Sequence, residues 1–485
     1  MSAKQVVAID LGAESGRVVQ VGLDGQCFQL DVVHRFPNVP VLCRSTLHWD
    51  VLRLWHEIVN GLNVVLPSAS SIAIDTWGVD FALLERDGGL LANPVHYRDS
   101  RTEGMMEWVF ERVPRRTIFE RTGLQFMPLN TLFQLASLVK ANSPVLNAAS
   151  TFLTIADLFN YWLTGAQSCE FTHVTTSQCY NPIAAAWDFD TLSAVGVPTH
   201  IFPSIVFPGD KLGEYNNVPV FAVGAHDTAS AVAAVPTTTE NYVYISSGTW
   251  SLMGMELPEP IINDAVYEAN LTNEGGVFGT FRFLKNVAGL WIAQQCRAAW
   301  AEHGAEYSYN DLTAQAVNAD PFRSLINPDH YLFFPPGDMP QRIREFCRIS
   351  EQPVPETVGQ VMRTVYESLA LKYRYVLDSL LSISRRPVDR IHIIGGGAQN
   401  ALLCQMTADA TGRTVIAGPV EATALGNAFV QFIALGELDS ITQAREMLSR
   451  SGVTMQYEPK HVAAWEDIYQ RRFRALVEMG FDDDR

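Results

Sequence analysis

Two stretches about half the chain apart share one pattern. Val7-Ala8-Ile9-Asp10-Leu11-Gly12-Ala13-Glu14-Ser15 and Val243-Tyr244-Ile245-Ser246-Ser247-Gly248-Thr249-Trp250-Ser251 each place three apolar residues before a small polar one. Gly-x-x-Ser and a second apolar run follow in both. A strand, a glycine turn and another strand opening each half predict two similar domains, both turns facing a shared cleft. At 485 residues the chain is also too long for one hydrophobic core. The PTTTE stretch at 236–240 is the expected boundary, giving domains 1–238 and 239–485, with the C-terminal helices packing back across the hinge.

Periodicity around the repeat alternates between strand and helix. Apolar runs at 6–10, 17–23, 28–36, 71–75, 81–85, 220–224, 242–246, 252–257, 390–394 and 414–417 read as strands. Asp50 caps a helical period through Leu52, Trp55, Ile58, Val59 and Leu62. Further helices are expected over 227–235, 358–382, 401–410 and 422–435; 102–163 reads as mainly helical and 165–218 as irregular with short strands. Such alternation predicts an α/β architecture with mostly parallel central pairing.

Charge limits the ligands. The 35 basic against 52 acidic residues give a net charge of −17, which argues against nucleic acid or an anionic membrane as partner. An anionic ligand must be held locally, by backbone amides, a few basic side chains or a metal ion. The seven cysteines include no CxxC spacing, so neither a zinc ribbon nor a disulfide framework is indicated. No signal-like leader and no membrane-length apolar run are present, so a cytoplasmic protein is expected. GxxxxGK[ST], GxGxxG after a strand, HExxH and GxSxG are all missing.

What remains is a set of glycine turns just after strands, where backbone amides can cradle phosphate oxygens. In Asp10-Leu11-Gly12-Ala13-Glu14-Ser15-Gly16-Arg17, small residues admit a phosphate, Arg17 supplies a cation and Asp10 can hold magnesium through water; the segment reads equally as an ordinary hairpin. Ser246-Ser247-Gly248-Thr249 carries the same two readings. Gly395-Gly396-Gly397-Ala398-Gln399-Asn400 offers either a flat backbone face for a nucleobase or ribose, or close helix–strand packing. Asp227 ends a strand and opens a helix, so it reads as a helix cap or as an ionised carboxylate able to take a proton from a hydroxyl. In Asp75-Thr76-Trp77-Gly78-Val79-Asp80, Trp77 reads as core or as a platform for a sugar ring. Asp99 and Arg101 read as an ion pair.

Taken in order, these segments resemble the FGGY carbohydrate kinases. The motifs are IDTWGVDF (74–81), YRDSR (97–101), HDTASAV (226–232), SSGTWSLMG (246–254), NEGG (273–276), LKN (284–286), GLW (289–291), GGGAQN (395–400) and EATALGN (421–427). The resemblance spans roughly residues 5–435 and implies two actin-like, ribonuclease H-like domains of the sugar kinase–Hsp70 ATPase class around a central cleft. It implies ATP with Mg2+ and a small ketose as ligands, and closure of the domains on the sugar. Within the family the motifs lie nearest the members that phosphorylate L-rhamnulose at C1; other ketose or polyol kinases and a non-catalytic actin-like regulator are the alternatives.

Carried over by position, the resemblance makes Asp227 the catalytic base. Nucleotide contacts fall on Ala13, Glu14, Ser15, Gly16, Arg17, Thr249, Gln294 and Gly396. Sugar contacts fall on Trp77, Gly78, His226, Asp227, Thr228 and Asn286. Glu14 departs from the family, which carries a small hydroxyl residue there; its carboxylate must turn away from phosphate, pair with Arg17 or help bind magnesium.

Overall fold

The computed structural model describes residues 4–25 and 27–478. The chain divides into two compact units. One comprises the chain up to Thr238 with Glu256–Phe283 and Glu421–Gly452; the other comprises Thr239–Met255, Leu284–Val420 and the chain from Val453 onward. A single cut at 238/239 therefore describes only the first crossing of the chain between them.

The first unit is built on β1 (Lys4–Leu11), β2 (Ser15–Asp24), β3 (Cys27–Pro37), β4 (Ser71–Thr76), β5 (Lys211–Tyr215) and β6 (Val218–Phe221), in the order β5-β6-β4-β1-β2-β3. β1 pairs antiparallel with β2 and parallel with β4, and β4 pairs parallel with β6. Val6 to Ile9 are wholly buried because β1 is covered on both faces, which is why its sequence is continuously apolar. The Val51–Val65 helix is capped by the Asp50 side chain, which accepts from Arg53 N. The helices Asp227–Ala233 and Ala422–Ala434 pack together, and the second also lies on β1 and β4. Its Gln431 donates to Val7 O, while Ser71 Oγ donates to Gln431 Oε1, so buried polar groups fix the helix against the strands. The region 165–218 is a run of short strands, short helices and turns.

The second unit repeats the central motif. β7 (Tyr242–Ser247) and β8 (Ser251–Leu257, leaving the unit after Met255) form an antiparallel hairpin. β9 (Phe281–Val287, entering the unit at Leu284) flanks β8. β10 (Arg390–Ile394) runs parallel to β7 on its other side, followed by parallel β11 (Thr414–Ala417) and antiparallel β12 (Met455–Tyr457). The order β9-β8-β7-β10 reproduces β3-β2-β1-β4, so the sequence repeat is a repeat of structure. The Val358–Ser384 helix starts in a Thr357–Gln360 capping box and packs against Ala401–Thr411. Among the described residues, no helix is long and apolar enough to cross a membrane.

Candidate active site

Three carboxylates gather at the C-terminal ends of the parallel strands of the first unit. Asp10 and Asp75 are register partners across β1 and β4, and Thr76 bridges in parallel to His226, next to Asp227. This edge is where α/β sheets bind ligands, because the chain leaves each strand there with free backbone groups. Asp10 Oδ2 accepts from Arg17 Nε at 2.8 Å and lies 2.6 Å from Nη2. The other terminal nitrogen of Arg17 pairs with Glu421 Oε2 at 2.5 Å, and Glu421 also pairs with Arg35 at 3.2 Å. Burial alone would ease proton loss from Arg17, but Asp10 and Glu421 outweigh it and hold the guanidinium charged. The cation expected to be available to a phosphate is thus shared between two carboxylates.

Asp75 is wholly buried; Asn427 Nδ2 donates to its Oδ2 at 2.6 Å, while Oδ1 has no hydrogen-bond partner. Burial, then the charge of Asp10, pushes its carboxyl well above the usual range, the Asn427 hydrogen bond opposing. Asp227 keeps 28% of its side chain exposed. Its Oδ1 accepts from the Thr228 hydroxyl at 3.1 Å and lies 3.5 Å from His226 Nε2. Burial raises its pKa, Asp10 adding to the rise and His226 opposing it. A helix terminus favours the ionised form of Asp227, as expected from the sequence. The terminus belongs to a helix of only seven residues, and desolvation beside a second carboxylate shifts the pKa upward against it. Nor is Asp227 the cap: His226 holds that position, without a side-chain cap bond.

The 12–16 turn is closed by Gly12 N donating to Ser15 O at 2.9 Å and tied to Asn38, whose Nδ2 donates to Gly12 O and whose N donates to Glu14 O. Glu14 is exposed, with Ala13 and Ser15 partly so. Gly16 is explained by packing: a Cβ there would stand 2.3 Å from the Phe36 ring.

Gly78 lies against His226, so close that a Cβ would be 3.2 Å from Nε2. Gly78, His226, Asp227 and Thr228 therefore share one place. Trp77 does not present a platform for a sugar. It is buried at 4% exposure, with its ring on Trp49 at 4.1 Å and its Nε1 donating to Asp80 Oδ2 at 3.0 Å. An indole needs a partner for its N–H when buried, and Asp80 supplies one inside the core. Asp99 accepts from Leu47 N and Arg101 N, while the Arg101 guanidinium donates to Gln134.

Two groups were not singled out from the sequence. Arg282 is fully buried, its Nη2 3.0 Å from His226 Nδ1 and 3.1 Å from Glu274 Oε2, and its Nε donates to Gly275 O. An arginine inside the apolar run FRFL was the available signal. Glu170, also fully buried, accepts on one oxygen from Thr172 N, Thr172 Oγ1, His173 N and Ala225 N, anchoring the segment that leads into His226.

In the second unit, Thr249, Gln294 and Gly396 lie around the ends of β7 and β10, where Ser246 pairs with Ile394. Gln294 Nε2 donates to Thr249 Oγ1 at 3.5 Å, and Trp291 N donates to Thr249 O. The three glycines divide in role. A Cβ on Gly397 would be 2.0 Å from Ser247 Oγ, and Gly395 has φ +82°, whereas a Cβ on Gly396 would meet nothing within 4 Å. Packing explains Gly395 and Gly397 and leaves Gly396 facing open space. Asn286 lies on the part of β9 within this unit, next to Val287 and Ala288, whose N donates to Asp329.

Residues 5–235 match the model of the FGGY carbohydrate kinase N-terminal domain, and 243–435 match that of the C-terminal domain. The chain is 44% identical to a rhamnulokinase of Bacteroides thetaiotaomicron, over 95% of this chain and 97% of the relative. It is 41% identical to a rhamnulokinase of Pectobacterium carotovorum, over 98% and 97%. Among solved structures, a gluconate kinase from Lactobacillus acidophilus superposes with a TM-score of 0.78 at 14% identity, covering 99% of this chain and 98% of that one. Plasmodium falciparum glycerol kinase with ADP gives 0.75 at 15% identity, covering 99% of each chain. At such identities these structures speak for the fold alone.

Proposed function

Because this chain belongs to the FGGY family of carbohydrate kinases, we propose that it transfers the γ-phosphoryl group of ATP to the C1 hydroxyl of L-rhamnulose, giving L-rhamnulose 1-phosphate and ADP. The observation that carries the choice of sugar is near-full-length identity of 38–44% to several rhamnulokinases. For the chemistry, the support is a carboxylate poised at a strand end: Asp227, desolvated and with one oxygen held by Thr228 and His226.

Asp227 takes the proton of the C1 hydroxyl as that oxygen bonds to the γ-phosphorus and the bond to the β-phosphate oxygen breaks. The proton passes from Asp227 to solvent after release. In phosphoryl transfer most catalysis is positioning and charge neutralisation, with the base completing the proton balance. We assign Gly78, His226, Thr228 and Asn286 to the sugar. Thr249, Gln294, Gly396 and the Ala13, Glu14, Ser15, Gly16 and Arg17 turn are assigned to the nucleotide.

No group of three His, Cys, Asp or Glu able to hold a metal occurs among the described residues, and Asp10 Oδ2 is already taken by Arg17. That set fits a nucleotide-borne magnesium ion, for which Asp10 would be the holding residue, through water. When bound it neutralises phosphate charge. ATP as co-substrate sets the reaction in the cytoplasm.

A coupled ADP-release assay over L-rhamnulose, L-fuculose, L-ribulose, D-xylulose and glycerol tests the reading. The expected result is a kcat/KM for L-rhamnulose at least ~10-fold above every other acceptor, the margin that one or two pocket contacts supply. A higher value for another acceptor would replace the sugar and keep the chemistry.

A further inference from the structure

The Glu274–Arg282–His226 cluster is buried beside the proposed base. Arg282 has no exposed surface and the Glu274 side chain only 5%, so the two charges neutralise each other inside the protein. A guanidinium can only donate. Its Nη2 carries two hydrogens and has two neighbours, Glu274 Oε2 at 3.1 Å and His226 Nδ1 at 3.0 Å. The contact with Glu274 is an ion pair and the contact with His226 a hydrogen bond, so the Nη2 hydrogen is received by His226 Nδ1, which must then be a bare lone pair. A hydrogen on Nδ1 would set donor against donor at 3.0 Å, closer than the 3.4 Å to Glu274 Oε2. The hydrogen of the neutral ring is thereby driven to Nε2, which lies 3.5 Å from Asp227 Oδ1. The other groups around His226 do not compete for Nδ1: Thr172 Oγ1 accepts from its backbone N, and the His173 ring is 6.4 Å away.

We infer that Arg282 is a positioning residue: it holds His226 as the neutral, Nε2-protonated ring that directs its N–H at Asp227 Oδ1, leaving the other carboxylate oxygen to receive the substrate proton. The role rests on Asp227 as base. Arg282 acts through His226 and touches neither substrate.

The test has two arms. In full-length protein carrying 15N-labelled histidine, at pH 7.5, the His226 ring signals are those that disappear in His226→Gln. The expected pattern is a protonated Nε2 and an unprotonated Nδ1; a proton on Nδ1, or on both nitrogens, overturns the inference. This measurement uses the unmutated protein and stands whether or not variants fold. In the kinetic arm, Arg282→Gln should lower kcat by ~10-fold or more with KM for ATP within about twofold, and Arg282→Lys, keeping the charge and a donor, should recover part of the loss. A folded Arg282→Gln with unaltered kcat overturns the inference. Should Asp227→Asn retain full activity, the base assignment fails on its own, while the tautomer result still reports on Arg282.

Discussion

Asp227 carries the chemical argument, and its surroundings predict an unusual variant. Asp10, Asp75 and Asp227 repel one another in a partly desolvated space, with Arg17 the cation paired to Asp10. Asp227→Asn keeps the shape and removes one charge of three, so kcat should fall by about 10²- to 10⁴-fold while the melting temperature holds or rises. Steady-state kinetics and calorimetry on one preparation check both halves; a large loss of stability would attribute the kinetic loss to misfolding. Glu170 gives a second residue-scale prediction. Burial lifts its carboxyl from an ordinary 4.5 to about 8, against the opposing hydrogen bonds of Thr172. The folded state therefore keeps a proton that the unfolded chain gives up, so this contribution to stability is full below pH 4.5 and is lost as pH rises to about 8. Glu170→Gln removes the titration. Relative to the parent, the variant should gain about 1.4 kcal/mol per pH unit between pH 5 and 8 and nothing more above that. Urea unfolding at pH 5, 6.5, 8 and 9 measures it, and a constant difference would contradict a buried, protonated Glu170.

At the scale of elements, the glycine turn after β10 separates ligand binding from packing. Gly396→Val meets no steric obstacle, so stability should hold while KM for ATP rises ~10-fold or more and KM for sugar stays within about twofold. Gly397→Ala drives its Cβ onto Ser247 and should instead cost about 1–3 kcal/mol of stability. Equal effects of Gly396→Val on both substrates would return that residue to packing. The strands were legible because burial on both faces writes itself into continuous apolar runs: Arg390–Ile394 and Thr414–Ala417 fall at their expected residues. The helix starts were legible where a cap is local, as at Asp50. Pairings between distant residues were not. Asn427 meets Asp75, and Glu421 meets Arg17, only because the Ala422–Ala434 helix lies on β1 and β4; no local pattern encodes that. Trp77 misled for the opposite reason: an indole beside glycine and aspartate has the composition of a sugar site, yet here the aspartate satisfies the buried N–H.

Across the whole molecule, one strand–turn–strand motif appears in both units, with β1 and β7 each flanked by an antiparallel and a parallel neighbour. The first copy places a carboxylate at its end, Asp10, where the second has Ser246. The central claim, phosphoryl transfer from ATP to the C1 oxygen of L-rhamnulose, is tested most directly by the product itself. With purified protein, ATP, magnesium and L-rhamnulose, phosphorus–proton correlation spectra should show the new phosphate coupled to the C1 methylene protons, with one ADP formed per phosphorylated sugar. Phosphate on another carbon, or ADP released without a phosphorylated sugar, would contradict it.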